Sequence, residues 1–184
     1  MRIRRLSLPE LALLEPDWHE DLRGGFMELW QAERFAAAGL EFPVAQLNLS
    51  RSRRGVIRGL HYQWPEPQGK LVACLEGEIF DVAVDIRRGS PRFGQHAAAM
   101  LTADNRRMLW IPPGFAHGFA VVSERALVIY ACSAPYRREA DRVIRYDDPA
   151  LAIDWPVGEP ILSAKDREAP RLAELAEEAL PGFA

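Results

Sequence analysis

The sequence predicts an all-β fold, an antiparallel sandwich or barrel of jelly-roll type with a short helix and a C-terminal helical tail. Many short segments alternate between apolar and polar residues, and turn signals rich in proline and glycine separate them. Helical spacing is confined to one minor segment and to the tail. The 184 residues, 48% of them hydrophobic, suffice for one core of ordinary size. We therefore expect a single domain over residues 1–184, in which residues 166–184 form the helical tail.

The first predicted elements are two strands with a short helix between them. FMELW at 26–30 and VAQLNLS at 44–50 alternate well, and in the second strand Gln46 and Asn48 share one face. Between these strands, AERFAAAGL suits a short helix that stops at Gly39.

The middle of the chain predicts further strands and places two acidic side chains on one face. GVIRGLHYQ at 55–63 is followed by a proline turn and by KLVACLEGEIFDVAVDIR at 70–87, which we expect to form two strands that meet around Gly77. Alternation in the second of these strands puts Asp81 and Asp85 together on a face of small side chains.

The last third of the chain predicts more strands and then the tail. RRMLWIPPGFAHGFAVV and ALVIYACSAPY account for at least three extended segments with a proline-glycine corner between them. In the tail, Leu172, Leu175 and Leu180 recur at helical spacing. We expect this helix to pack on the outside of the barrel or at a subunit contact.

Charge and cysteine content exclude several classes of protein. The formal net charge of -3 disfavours a nucleic-acid-binding protein, because nonspecific binding to polyanions depends on a clear excess of Lys and Arg. The longest apolar runs are far below the ~18 residues of a membrane span, and the N-terminus lacks a signal-peptide core, so we expect a cytoplasmic protein without membrane contact. Two cysteines, Cys74 and Cys132, give little support for a disulfide framework, and we expect both to be buried.

Two of the four histidines lie in unusual surroundings. His61 lies in RGLHYQ, and His117 lies in PPGFAHGF at the end of a tight turn. Strict alternation would put Arg58 and His61 on opposite faces of their strand. If both side chains serve one site, a bulge near Gly59 must redirect one of them, and glycine permits such a bulge.

The spacing Pro112-x-Gly114-x-x-His117 resembles the second motif of cupin barrels, in which that histidine is a metal ligand. The first cupin motif has two histidines separated by one residue and then a glutamate, whereas Tyr62 and Gln63 follow His61 here. The set of three nitrogen ligands is therefore missing. We expect a cupin-type barrel with no metal and no other cofactor, whose imidazoles are available for acid–base chemistry.

Three further residues provide the other groups that base chemistry needs. Lys70 begins a strand and could place an ammonium near His61, and Tyr130 could donate a proton from an otherwise apolar strand. Asp166 follows a serine at a candidate helix start and could orient a histidine. Each residue also has a purely structural interpretation: a solvated lysine, a core tyrosine or a helix-start carboxylate.

A binding site for an anionic nucleotide has candidates in the first third of the chain. Arg23 and Arg58 are planar cations suited to a phosphate. Phe26 and Glu28 lie on the same strand face, where an aromatic surface and a carboxylate could meet a nucleobase. Alternation alone does not separate this interpretation from ordinary packing.

Taken together, these residues resemble the dTDP-4-dehydrorhamnose 3,5-epimerase family of nucleotide-sugar metabolism. The resemblance extends from Asp21 to Asp166, and its specificity comes from many segments in the family order. These segments are DLRGGFMELW, QLNLS, GVIRGLHYQ, QGKLV, GEIFDVAVDIRRGSPRFGQ, LWIPPGFAHGF, the strand of Tyr130, DDPALAIDWP and LSAKD.

The resemblance implies a jelly-roll barrel of cupin type, a homodimer, no metal, and a dTDP-4-keto-6-deoxyhexose substrate. It implies that His61 is the general base, that Asp166 orients it, that Lys70 stabilises the enolate oxygen and that Tyr130 is the proton donor. Asp141 stands where the family commonly has a glutamate. The neighbouring subunit is expected to lend the strand that carries the first three of the implied substrate-binding residues. Those binding residues are Arg23, Phe26, Glu28, Gln46, Asn48, Arg58, His117, Asp141 and Lys165.

Three functions remain open from the sequence. The first is epimerisation of dTDP-4-dehydro-6-deoxy-D-glucose at C3 and C5 to dTDP-4-dehydro-L-rhamnose, by proton abstraction next to the C4 ketone. The second is a monoepimerase that acts at C3 or C5 alone in a dTDP-deoxysugar pathway, because it would use the same base, lysine and tyrosine. The third is a noncatalytic cupin that holds a small ligand, and the incomplete first cupin motif argues against its metal-binding form.

Overall fold

The computed structural model describes residues 1–183, and this part of the chain is built almost entirely from antiparallel strands. The strands are β1 (Arg2–Arg5), β2 (Ala12–Glu15), β3 (His19–Asp21), β4 (Gly24–Phe26), β5 (Gln46–Arg53), β6 (Ile57–Gln63), β7 (Lys70–Glu76), β8 (Glu78–Asp85), β9 (His96–Thr102), β10 (Met108–Ile111), β11 (Phe115–Val121), β12 (Arg125–Cys132) and β13 (Asp141–Val143). Two short helices, α1 (Ala32–Ala37) and α2 (Ala164–Arg167), complete the regular structure together with two 3-10 turns.

Two sheets form the barrel. One has six strands in the order β1-β2-β10-β7-β12-β5, and the other has five in the order β13-β6-β11-β8-β9. Side chains from both sheets form the central core, among them Val72 and Leu109 from the first sheet and Ile79 and Phe119 from the second. The prediction of an all-β jelly-roll barrel of cupin type is thus confirmed.

The outer face of each sheet is partly covered. On the six-stranded sheet, Phe35 of α1 and the following residues Leu40 and Phe42 pack against Trp110. The helix begins after Gln31, whose side chain accepts from the N–H of Arg34, and ends before Gly39, as the sequence predicts. The prediction that Cys74 and Cys132 are buried and unpaired is also confirmed.

The tail packs on the outer face of the five-stranded sheet, but it is helical only in short pieces. In place of one continuous helix, it has the end of α2 and 3-10 turns at Leu172–Glu174 and Glu177–Ala179. Leu175 has an extended backbone between the two turns, which lets both Leu172 and Leu180 reach the sheet. Helical spacing failed as a guide here because Leu172 and Leu180 are each buried against the sheet, and an extended residue between the two turns permits both contacts. Ala184 lies outside the described residues.

Other strands differ from prediction in extent. Of the predicted strand 26–30, only Phe26 is in a strand, whereas β5 extends past the predicted segment to Arg53. The strands β7 and β8 meet at Gly77, as expected. In residues 1–183 no helix is long and apolar enough to cross a membrane.

Candidate active site

A bulge in β6 brings Arg58 and His61 onto one face. His61 pairs with His117 of β11, and Arg58 pairs with Phe119, so three residues of β6 span the same length as two of β11. Directly opposed residues in an antiparallel pair point to the same side. Because Phe119 belongs to the central core, both Arg58 and His61 face the interior of the barrel. The sequence expectation of a bulge is confirmed.

Gly59 makes this bulge possible. Its φ is +136°, a conformation that other residues rarely adopt. A Cβ at this position would lie 2.5 Å from Cα of Gly118 and 2.9 Å from the carbonyl oxygen of His117. Both contacts are with backbone, which cannot rotate away as a side chain can.

His61 and Asp166 form a hydrogen-bonded pair at the mouth of the barrel. Nε2 of His61 lies 2.6 Å from Oδ1 of Asp166. The carboxylate is almost fully buried, whereas 36% of the His61 side chain is exposed. Burial alone would raise the pKa of Asp166, but its hydrogen bond with His61, the charge of His61 and the hydrogen bonding of Ser163 outweigh it, and the pKa is lowered. Asp166 is therefore a carboxylate at neutral pH and can hold the imidazole in one orientation.

A second histidine pair lies deeper in the barrel. Nε2 of His117 is 3.0 and 3.1 Å from the two carboxylate oxygens of Asp81, and both side chains are buried. Burial lowers the pKa of His117, although the charge of Asp81 opposes this shift. His117 is therefore a neutral imidazole at physiological pH.

Lys70 reaches the same region from the facing sheet. Its Nζ lies 3.4 Å from the carbonyl oxygen of His61, and the side chain is buried. Burial lowers the pKa of Lys70, while the charges of Cys132, Asp81 and Asp141 act in the other direction. The interactions of Lys70 with groups from several strands indicate that the cluster is compact.

Tyr130 lies on the sheet opposite His61. It pairs with Val72 on one side and with Asn48 on the other, and it packs against the central core. Burial raises the pKa of Tyr130, so its phenol keeps its proton at neutral pH and can donate it. The guanidinium of Arg58 reaches the same sheet, where its Nε donates to the hydroxyl of Ser52 on β5 at 3.0 Å.

Polar side chains of β5 continue the site from Tyr130 toward its rim. Nε2 of Gln46 donates to Oδ1 of Asn48 at 2.8 Å, and Nδ2 of Asn48 donates to Sγ of Cys132 at 3.5 Å. Cys132 therefore lies in the same polar row. On the other face of β5, Leu47 and Leu49 are more than 60% exposed.

At the edge of the site, Lys165 and Asp141 form an ion pair beside the exposed ring of Tyr136. Nζ of Lys165 lies 2.5 Å from Oδ2 of Asp141, and the same oxygen accepts from the hydroxyl of Tyr136 at 3.0 Å. The backbone N–H of Tyr136 donates to Oε1 of Gln46 at 2.7 Å. The rim is thus hydrogen-bonded to the polar row of β5.

The hairpin of β3 and β4 does not join this cluster within one chain. Arg23 is highly exposed and pairs with Asp21 in the hairpin itself, while Glu28 pairs with Arg34 of α1. Phe26 is 67% exposed. The sequence expectation that these residues serve the site therefore depends on a second subunit.

Comparison with known proteins identifies the family. The family model described as dTDP-4-dehydrorhamnose 3,5-epimerase matches residues 5–174. The chain belongs to this family. It is 48% identical to the dTDP-4-dehydrorhamnose 3,5-epimerase of Pseudomonas aeruginosa over 176 residues, which cover 95% of this chain and 97% of that relative.

Two solved structures of epimerases are similar to the chain over nearly its full length. One is the dTDP-6-deoxy-D-glucose-3,5-epimerase RmlC from Legionella pneumophila in complex with dTDP-4-keto-L-rhamnose, with a TM-score of 0.97, 48% identity and coverage of 100% of this chain and 98% of that one. The other is ChmJ, a 3'-monoepimerase from Streptomyces bikiniensis in complex with dTDP-quinovose, with a TM-score of 0.90, 37% identity and coverage of 97% and 92%.

Two residues of the cluster, Asp81 and Tyr136, have no role predicted from the sequence. Asp81 was placed on the correct face, but its contact with His117 depends on the pairing of β8 with β11, which alternation does not reveal. Tyr136 follows Pro135 in a loop, and no periodic pattern marks it. Asp141 reaches Lys165 even though its side chain is one methylene shorter than the glutamate that is common in the family. Among residues 1–183, no three His, Cys, Asp or Glu side chains are grouped as metal ligands.

Proposed function

We propose that this protein converts dTDP-4-dehydro-6-deoxy-D-glucose to dTDP-4-dehydro-L-rhamnose by epimerisation at C3 and C5, as a step of dTDP-rhamnose biosynthesis. The observation that carries the proposal is the 2.6 Å hydrogen bond between His61 and Asp166. His61 lies on the sheet that faces the strand of Tyr130, and its carbonyl oxygen lies 3.4 Å from Nζ of Lys70. A base, a cation and a proton donor thus converge in one barrel that belongs to an epimerase family.

His61 is the general base in this proposal. Its imidazole removes the proton from the carbon next to the C4 ketone, and the electrons of the broken C–H bond move into the ketone to give an enolate. Asp166 holds the ring in position and stabilises the imidazolium that forms. The ammonium of Lys70 donates a hydrogen bond to the developing oxyanion, a contribution of about 3–4 kcal/mol for a preorganised donor.

Tyr130 returns a proton to the opposite face of the same carbon, which inverts the centre. The enolate electrons re-form the C–H bond with the phenolic proton, and the ketone is restored. The tyrosinate then regains a proton from solvent, while imidazolium of His61 releases one to solvent. C3 and C5 are both adjacent to C4, so the same residues serve both centres in turn.

The remaining cluster binds the nucleotide and the sugar. Arg58 is available to the diphosphate, since its Nε bonds only to the hydroxyl of Ser52 at 3.0 Å among the contacts of residues 1–183. Tyr136 offers an exposed ring as a stacking surface for a base. The other proposed binding residues in this chain are Gln46, Asn48, His117, Asp141 and Lys165.

We propose further that the active form is a homodimer. The exposed Leu47 and Leu49 form an apolar outer surface on β5. The hairpin that carries Arg23 and Phe26, with Glu28 two residues after it, does not contact the site of its own chain. In a dimer, this hairpin would complete the partner's pocket.

Light scattering is expected to give twice the chain mass. Mixing inactive His61→Ala with inactive Arg23→Ala is expected to restore part of the activity, because mixed dimers contain one intact site. A monomeric, fully active protein would refute the dimer.

Incubation with dTDP-4-keto-6-deoxyglucose in deuterated water tests the activity. With no reductase present, deuterium at both C3 and C5 is expected. A monoepimerase is the second candidate because of the similarity to ChmJ, and it would give label at one of these carbons only. No label at either carbon, with substrate shown to bind, would refute an epimerase.

A further inference from the structure

The segment 144–151 connects the two parts of the chain that carry His61 and Asp166. On one side, Ile144 and Leu60 exchange backbone hydrogen bonds of 2.8 and 3.0 Å, and Leu60 directly precedes His61. On the other side, the N–H of Arg145 donates to the carbonyl of Pro170 in the tail at 2.8 Å. The segment is therefore one link between the base and its carboxylate; another is Ile161, which exchanges backbone hydrogen bonds with Gly55 and Ile57 at the start of β6.

Asp148 provides a side-chain hydrogen bond between the segment and the tail. It is 3% exposed, and each of its carboxylate oxygens accepts a backbone hydrogen bond. Oδ1 accepts from the N–H of Ala150 at 3.0 Å, within the segment, and Oδ2 accepts from the N–H of Leu172 at 2.8 Å, in the tail.

The tail needs such a contact because α2 cannot position Asp166 alone. This helix has four residues, far fewer than an isolated helix requires to be stable. Ser163 caps it by accepting from the N–H of Asp166. After the helix, the chain is held by the Pro170 carbonyl and then by Leu172, whose side chain packs in the same cluster as Leu60 and Leu151.

We infer that Asp148 is a positioning residue for the His61–Asp166 pair, acting by fixing the tail to the segment that is bonded to the His61 strand. This inference rests on the proposed function. It assigns Asp148 no contact with substrate. Loss of its carboxylate frees the tail at Leu172 and lets Asp166 move away from Nε2 of His61.

The expected effect is on turnover more than on binding. Misplacement of a catalytic group by 1 Å can cost about 100-fold in rate, so we expect Asp148→Ala to lower kcat by about 10- to 100-fold. The binding residues on β5 and β6 lie outside the tail, whereas Lys165 lies on α2 beside Asp166 and would move with it. KM is therefore expected to change much less than kcat. Asp147→Ala is the matched control, because Asp147 is adjacent but exposed and, among residues 1–183, pairs only with Arg145 at the surface. It should leave kcat unchanged.

A double-mutant cycle separates positioning from general destabilisation. Asp148→Ala is introduced into the wild type and into Asp166→Ala, and kcat is measured at a temperature at which circular dichroism shows all variants folded. We expect the loss from Asp148→Ala to disappear in the Asp166→Ala background, since there is no carboxylate left to position. An equal loss in both backgrounds, or a wild-type kcat for Asp148→Ala, would overturn the inference. If Asp148→Ala does not fold, Asp148→Asn, which keeps one acceptor, replaces it in the cycle.

A second measurement does not depend on turnover. In the proton NMR spectrum, the His61 ring proton shared with Asp166 is expected downfield in the wild type and in Asp147→Ala, and moved upfield or lost in Asp148→Ala. An unchanged resonance in Asp148→Ala would overturn the inference. If the wild type catalyses no exchange at C3 or C5, the proposed function fails, and this resonance still decides the role of Asp148.

Discussion

Replacement of Gly59 by alanine is expected to destabilise the protein and to disrupt the placement of Arg58 and His61. A residue other than glycine at φ +136° is strained by about 1–3 kcal/mol. The added Cβ would meet backbone of Gly118 at 2.5 Å and of His117 at 2.9 Å, and relieving such overpacking costs about 1–3 kcal/mol more. The expected loss of about 2–6 kcal/mol corresponds to a fall in Tm of about 4–24 °C for a chain of this size.

Two other glycines separate the causes of this effect. Gly89 has φ +84° and nothing within 4 Å of a built Cβ, so Gly89→Ala should show strain alone, about 1–2 kcal/mol. Gly158 has neither positive φ nor a close neighbour, so Gly158→Ala should leave Tm nearly unchanged. The assays are Tm by calorimetry and kcat/KM for epimerisation at a temperature at which each variant is folded. If Gly59→Ala were no less stable than Gly89→Ala and fully active, the argument that close backbone approach requires glycine would be refuted.

Three further predictions concern the acid–base groups. His61→Ala and Tyr130→Phe are each expected to lose about 10²- to 10⁴-fold in rate with unchanged circular dichroism, while His96→Ala, on β9 outside the site, keeps full activity; an active His61→Ala would reject the assigned base. Because the pKa of Asp166 is lowered on folding, its stabilising effect is complete above the unfolded value of about 3.9 and is lost as the pH falls through the lower folded value, so the Tm difference between wild type and Asp166→Asn should shrink below about pH 4. Because burial lowers the pKa of Lys70, kcat/KM should begin to fall with rising pH before the ordinary lysine pKa of about 10.4 is reached. Lys70→Gln should remove this decrease at alkaline pH and lower the rate by about 10²- to 10³-fold. If the decrease persists in Lys70→Gln, another group causes it.

The sequence predicted the barrel well where alternation is strict. The strands β5 and β8 have a clear period of two, and each was located from it. The strands β7 and β12 were located as apolar runs between turn signals. The strand β9 was not found, because HAAAMLT is a run of small apolar residues without alternation. Helical spacing likewise misled in the tail, where the separate burial of Leu172 and Leu180 outweighs the helical pattern. The single-domain organisation and the cytoplasmic location stay predictions.

The site was predictable to the extent that its residues lie in motifs. The bulge at Gly59 followed from a physical conflict visible in the sequence, since Arg58 and His61 could face one site only if alternation was broken. The contacts of Asp81, Tyr136 and Asp148 could not be predicted, because each joins segments whose pairing is set by the three-dimensional fold. The role of the hairpin that carries Arg23 cannot be derived from the fold of one chain either, since its proposed role depends on a second chain.

The different burial of the two histidine–aspartate pairs explains why only one of them suits the role of a base. A base that removes a proton from carbon must later release it to water, and 36% of the His61 side chain is exposed. The side chain of His117 is almost completely enclosed with Asp81, and burial lowers its pKa. A neutral, enclosed imidazole can hydrogen-bond to a sugar oxygen without competing for the proton in transfer. A histidine–aspartate pair can thus serve as a proton acceptor where its imidazole is partly exposed, as at His61, and as a fixed hydrogen-bonding group where the imidazole is largely buried, as at His117.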